Sequence, residues 1–132
     1  MTAVAALAMG ACSGGSTSSS STTTSPASPS TTPAGAVTTT TITISNNTVT
    51  PKNIIVARGS IVTFINNDSV AHQMFSNPHP EHTDCPEINQ VGFLSPGQTL
   101  GTGNMVTARA VCGFHDHGLP DVAGLQGSIT IQ

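Results

Sequence analysis

The sequence predicts an all-β chain, a two-sheet sandwich with Greek-key connections, on three observations. Short runs rich in β-branched residues are broken again and again by turn residues. No window sustains a helical period. The spacing gives about six or seven short strands, the number a small sandwich needs. Ile42 and Ile44 alternate with threonines, and residues 54–56 follow Pro51 as an apolar run. Residues 61–65 alternate around Phe64, residues 70–75 carry a histidine, residues 105–111 alternate loosely, and residues 128–131 close the chain. Asn46-Asn47, Arg58-Gly59, Asn66-Asn67-Asp68, Pro96-Gly97 and Gly101-Thr102-Gly103 punctuate these runs. The segment 76–95, rich in Pro, His, Asn and Asp, is longer than connectivity requires, and loops of that length are usually functional or disordered.

The chain has 132 residues, and its first third cannot contribute to a core. Residues 13–41 are almost wholly Ser, Thr, Pro, Gly and Ala, too poor in apolar surface to offset the entropy of ordering. They read as a linker, with the folded domain at 42–132. Residues 1–12 form a short apolar segment ending in Met9-Gly10-Ala11-Cys12, which resembles the lipobox of bacterial lipoproteins, in which small residues precede a cysteine that becomes lipidated. Leu7 lies further from the cysteine than a lipobox leucine usually does, and no Lys or Arg precedes the apolar run, as would follow from a truncated start. The expectation is an extracytoplasmic domain, lipid-anchored through Cys12 to a bacterial membrane or cell surface, on a tether of about 30 Å root-mean-square length.

All the charged side chains lie beyond the tether, three cations against six anions for a net charge of −3. With no basic patch, nucleic acid is excluded as a partner, and so is a polybasic hold on a membrane surface. Glu81, Asp84 and Glu87 alternate with Pro and His in the long loop and read as a solvated face rather than a paired-carboxylate site.

The five histidines, His72, His79, His82, His115 and His117, all fall within one stretch of the chain. His72 follows the turn at residues 66–68, and His115 and His117 follow Cys112 just before the closing strand. Chain ends at one pole of a sandwich converge, and loops there build binding sites. Imidazole with thiolate suits copper or zinc, and two histidines with one cysteine is the blue-copper arrangement. His72, Cys112, His115 and His117 are therefore candidate ligands to one copper ion, with His79, His82, Cys85 and Met74 as secondary candidates. Asp116, between two of them, is placed to orient an imidazole. An exported domain also allows Cys85 and Cys112 to pair, and that alternative stays open.

From Val49 onward the chain resembles the cupredoxins. The resemblance rests on Val49-Thr50-Pro51, on residues 59–66 leading to Asp68 and His72, and on Cys112-Gly113-Phe114-His115-Asp116-His117 before Gly124-Leu125-Gln126-Gly127-Ser128-Ile129. It implies a cupredoxin-like sandwich holding one copper ion. Leu125 stands at the axial position where the family usually has methionine, which implies a site without an axial donor. The segment Asn77-Pro78-His79-Pro80-Glu81-His82 with His115-Asp116-His117 also resembles a cupredoxin-like subgroup with a Tyr-His-Asp-His motif, Phe114 taking the place of the tyrosine. That version implies copper held mainly by histidines, with Cys112 free to bond Cys85.

Two functions follow. A one-electron carrier working outside the cytoplasm would meet a redox partner protein. A copper scavenging, storage or delivery domain would meet a copper donor or acceptor. An enzymatic role, as oxidase or nitrite reductase, needs a second copper centre or a substrate cleft, and is not expected of a lone domain.

Overall fold

The computed structural model describes residues 32–132. The expected signal segment 1–12 with Cys12, and residues 13–31 of the expected linker, lie outside them. Ten strands form the expected all-β sandwich: β1 (Val37–Thr38), β2 (Thr41–Ser45), β3 (Thr48–Thr50), β4 (Asn53–Val56), β5 (Thr63–Asn66), β6 (His72–Ser76), β7 (Gly92–Leu94), β8 (Thr99–Gly101), β9 (Val111–Asp116) and β10 (Gly127–Ile131). One sheet has the order β1-β4-β10-β9-β6-β7 and the other β3-β2-β5-β8. Both are mixed: β4 runs parallel to β1 and β10, and β2 parallel to β5, while the remaining pairs are antiparallel.

The domain begins earlier than residue 42. Val37 and Thr38 pair with Ile54 and Ile55, and Thr41 pairs with Thr63, so the C-terminal end of the expected linker is sheet. Composition hid this, because an edge strand made of Val and Thr needs ladder hydrogen bonds but little apolar burial.

Period-2 alternation explains the core. Ile42 and Ile44 of β2, Ile54 and Val56 of β4, and Phe64 of β5 are buried between the sheets with Ile129 and Ile131 of β10. Phe64 meets Phe114 of β9 edge-on, ring centroids 5.3 Å apart at 89°, which pins the two sheets face to face. The β2–β3 hairpin turns on Asn46 and Asn47, both with φ above +50°, as a two-residue turn of the primed type demands. Asp68 accepts hydrogen bonds from both of their N–H groups.

Two expected segments differ. Residues 105–110 are not a strand; Met105 is buried in the core while Arg58 Nη1 donates to the Val106 and Thr107 carbonyls. The ladder begins only at Val111, so Cys112 and His115 sit inside β9 rather than in a loop beyond it. The long segment after β6 is ordered, containing a 3-10 turn at Ile88–Gln90 and the edge strand β7.

Candidate metal centre

Strand parity divides the histidines. In β6, His72, Met74 and Ser76 are buried and Gln73 and Phe75 less so. Met74 pairs with Asp116 and Phe75 with His115 across the β6–β9 ladder. Directly paired residues share a face, so His115 stands beside Phe75 on the outer face of the six-stranded sheet. Asp116 turns inward with Met74 and His72.

His115 and His117, two residues apart, meet His79 and His82 from the loop after β6, and the four offer ring nitrogens that all lie within 4.8 Å of one another. His117 Nδ1 and His82 Nε2 approach to 3.1 Å, one donating to the other. The Phe75 ring lies 4.7 Å from that of His82 and 5.5 Å from that of His117, forming an apolar floor. His79 is exposed, His82 and His117 are half-buried, and His115 is only 3% exposed. The group is therefore a bowl with one deep imidazole and an open rim.

The carrier loop is firmly fixed. Asn77 N donates to Gly113 O at 3.0 Å, and Asp84 N to Asn77 O at 2.8 Å. Asn89 accepts from Ser76 N through Oδ1 and donates from Nδ2 to His82 O, tying the loop back to β6. Cys85 and Cys112 form a disulfide. Cys85 is three residues after His82 and Cys112 three before His115, so one covalent bond clamps together the two segments that supply the histidines. Arg109 adds an ion pair with Asp84 at 2.8 Å.

These positions correct the expected ligand set. Cys112 has its sulfur committed to Cys85, which removes both cysteines as donors. His72 is buried on the opposite face, with Nδ1 2.6 Å from Asp116 Oδ2 and Nε2 3.0 Å from Asp68 Oδ2, so neither nitrogen is directed at the group. Met74 and Leu125 are wholly buried core residues, Leu125 in a 3-10 turn at Ala123–Leu125. Asp116 does not orient a clustered imidazole: Oδ2 engages His72, while Oδ1 accepts from Gly118 N at 2.9 Å and Gln73 N at 3.3 Å, fixing the turn that presents His117. Of the primary set, the structure brings together His115 and His117, and adds His79 and His82 from the secondary set. Sequence reasoning missed Asn77 altogether. Its Oδ1 is 2.8 Å from His115 Nδ1, and the signal for it was its place at the head of the Asn-Pro-His-Pro-Glu-His segment.

Burial and the neighbouring imidazoles push His115 below its ordinary value, burial being the larger effect, against a smaller opposing pull from Asp116. Burial, then His117 and His79, do the same to His82, with Glu81 opposing. For Asp68, burial works upward but is outweighed by the hydrogen bonds from Asn47, His72 and Asn46, which hold the carboxyl below the usual range.

The donor set fits a borderline transition metal. Neutral imidazoles suit copper and zinc, and the depressed values keep lone pairs available near neutral pH. His115 Nε2 is buried with no hydrogen-bond partner among the described residues, the state in which a metal-binding nitrogen is left when its ion is not counted.

No protein-family model and no curated protein matches the chain. Solved structures do. A fern plastocyanin variant aligns at 15% identity over 70% of this chain and 99% of its own, with a TM-score of 0.54. A purple cupredoxin from Nitrosopumilus maritimus aligns at 19% identity over 71% and 100%, with a TM-score of 0.53. An amicyanin variant in its Cu(I) form aligns at 14% identity over 70% and 80%, with a TM-score of 0.53. The likeness is one of fold: the two sheets are those of a cupredoxin.

Proposed function

We propose that this cupredoxin-fold chain binds one copper ion through His79, His82, His115 and His117, and that it captures, holds and hands on the ion outside the cytoplasm. The single observation that carries this is the convergence of four imidazoles, one of them buried with an unpartnered nitrogen. The divalent order of affinities puts copper above zinc at nitrogen sites, and the Cu(I) amicyanin shows that its version of this fold accommodates the metal.

A bound copper ion would supply a centre that exchanges ligands and cycles between two oxidation states. The rest is done by the protein's residues. His79, exposed at the rim, meets the ion first; His82 and His117 follow; His115 anchors it at depth. Phe75 excludes water from beneath, and the disulfide keeps the two ligand segments in register. Withdrawal of His79 and His82 toward a partner's donors would return the ion by the same route. The anchor expected at Cys12 would hold this bowl at the cell surface, where it meets copper donors and acceptors.

One-electron transfer is the second reading. It is favoured by the disulfide clamp, since a ligand set with little freedom changes little between oxidation states. The two separate on exchange rate: a handling protein gives up copper to a competing chelator in seconds to minutes, whereas a carrier retains it through repeated reduction and oxidation.

Calorimetric titration with Cu(II) tests the site itself. One equivalent should bind, and His115→Ala should lose more affinity than His79→Ala, because only the deep imidazole is fixed on both sides. Unchanged binding after His115→Ala combined with His117→Ala would sink the assignment.

A further inference from the structure

The inference concerns how the site is made ready, and so rests on the copper reading. His115 is the one buried member of the group, and bulk water cannot choose which of its nitrogens carries the hydrogen. Its Nδ1 lies 2.8 Å from Asn77 Oδ1. A carbonyl oxygen only accepts, so Nδ1 carries the hydrogen, and a neutral imidazole then has its lone pair on Nε2. That nitrogen is the buried one without a partner.

Asn77 is held for this task by its own backbone, through the bonds to Gly113 and from Asp84. Its side chain lies across β9 at Gly113. A Cβ added at Gly113 would stand 2.3 Å from Asn77 Nδ2 and 3.0 Å from Cγ. The φ of Gly113 is not in the left-handed region, so what this position needs is space and not backbone freedom.

We propose that Asn77 is a positioning residue that sets the tautomer of His115, presenting Nε2 to the metal, and that residue 113 is glycine to admit the Asn77 amide. Without the amide, the hydrogen is free to settle on Nε2, where it blocks coordination. An oxygen is required at this place, but a charge is not. Asn77→Asp keeps the acceptor, whereas Asn77→Leu removes it at similar volume, and Gly113→Ala displaces it without touching Asn77 or any histidine.

Long-range proton–nitrogen NMR on the metal-free chain reads the tautomer directly, and competition titration with Cu(II) reads its consequence. Wild type and Asn77→Asp should show His115 with hydrogen on Nδ1, and Asn77→Leu and Gly113→Ala should shift it toward Nε2. The latter two should lose about 10- to 100-fold in Cu(II) affinity, the usual cost of losing an outer hydrogen-bond partner, while Asn77→Asp stays within a few-fold of wild type. Hydrogen on Nε2 in the wild type, or unchanged tautomer and affinity in Asn77→Leu, would overturn the proposal. A wild-type chain with hydrogen on Nδ1 that binds no copper would uphold the tautomer assignment and overturn the copper reading instead.

Discussion

At the scale of single residues, His82 carries two obligations at once. It supplies an imidazole to the group and sits at φ +52°, a region that costs a residue with a Cβ about 1 kcal/mol or more. Its N–H donates to Pro78 O at 2.7 Å, and its carbonyl accepts from Asn89. These bonds impose the conformation that aims the ring. His82→Gly should therefore be more stable than His82→Ala by about 1 kcal/mol, while both lose copper affinity alike; thermal unfolding followed by circular dichroism, paired with Cu(II) titration, checks this. Protonation supplies a second test. His82 and His115 are depressed below 6.5, so the unfolded chain binds protons there that the folded chain refuses. Stability should fall as pH drops from about 6.5 toward the depressed values, and the depressed Asp68 adds a loss of the same sign below 3.8. The metal-free protein should melt lower at about pH 5.5 than at about pH 7.5, by a margin that shrinks in His82→Gln. The histidines were legible in the sequence as a cluster, but their division was not. Whether His72 or His79 joins His115 depends on the β6–β9 register, and a shift of one residue would exchange the faces.

At the scale of elements, β10 shows how close the packing of the ligand-bearing strand is. Gly127 pairs with Phe114, and a Cβ there would stand 2.2 Å from Lys52 O and 2.4 Å from Phe114 Cζ. Gly127→Ala should cost about 2–3 kcal/mol by chemical denaturation and loosen β9 beneath the site. A loss under about 0.5 kcal/mol would mean that the strands separate more readily than this packing allows. Strands rich in isoleucine, such as β2, β4 and β10, were readable because alternation and burial agree. Residues 105–110 misled because their alternation serves a loop that buries Met105, and β1 and β7 escaped because two- and three-residue edge strands carry almost no periodic signal. The ligand strand β9 was missed for a related reason: polar His115 and Asp116, both buried, break the apolar pattern where function requires it.

At the scale of the whole molecule, the Cys85–Cys112 bond links the domain's longest excursion back to its central ladder across 27 residues. In the chain-entropy account a loop of that length contributes about 3.5 kcal/mol, a large share for a domain this small. Replacing both cysteines with alanine should lower stability by an amount of that order and weaken copper binding without changing the ligand set. Sequence alone allowed two roles for Cys112, thiolate ligand or disulfide partner, because spacing is silent on which sulfur or ion lies nearest in space. The fold decides between them by placing Cys112 against Cys85 and the histidines on the outer face.

The central claim, a histidine-only copper site with both cysteines paired, is tested most directly by the visible absorption and paramagnetic resonance spectra of the chain loaded with one equivalent of Cu(II). With no Tyr or Trp in the sequence, little protein absorption interferes. A weak ligand-field spectrum that is unchanged in kind when Cys112 is replaced by serine, and lost when His115 and His117 are replaced together, is the predicted result. An intense thiolate-to-copper band that disappears with Cys112→Ser would contradict the account.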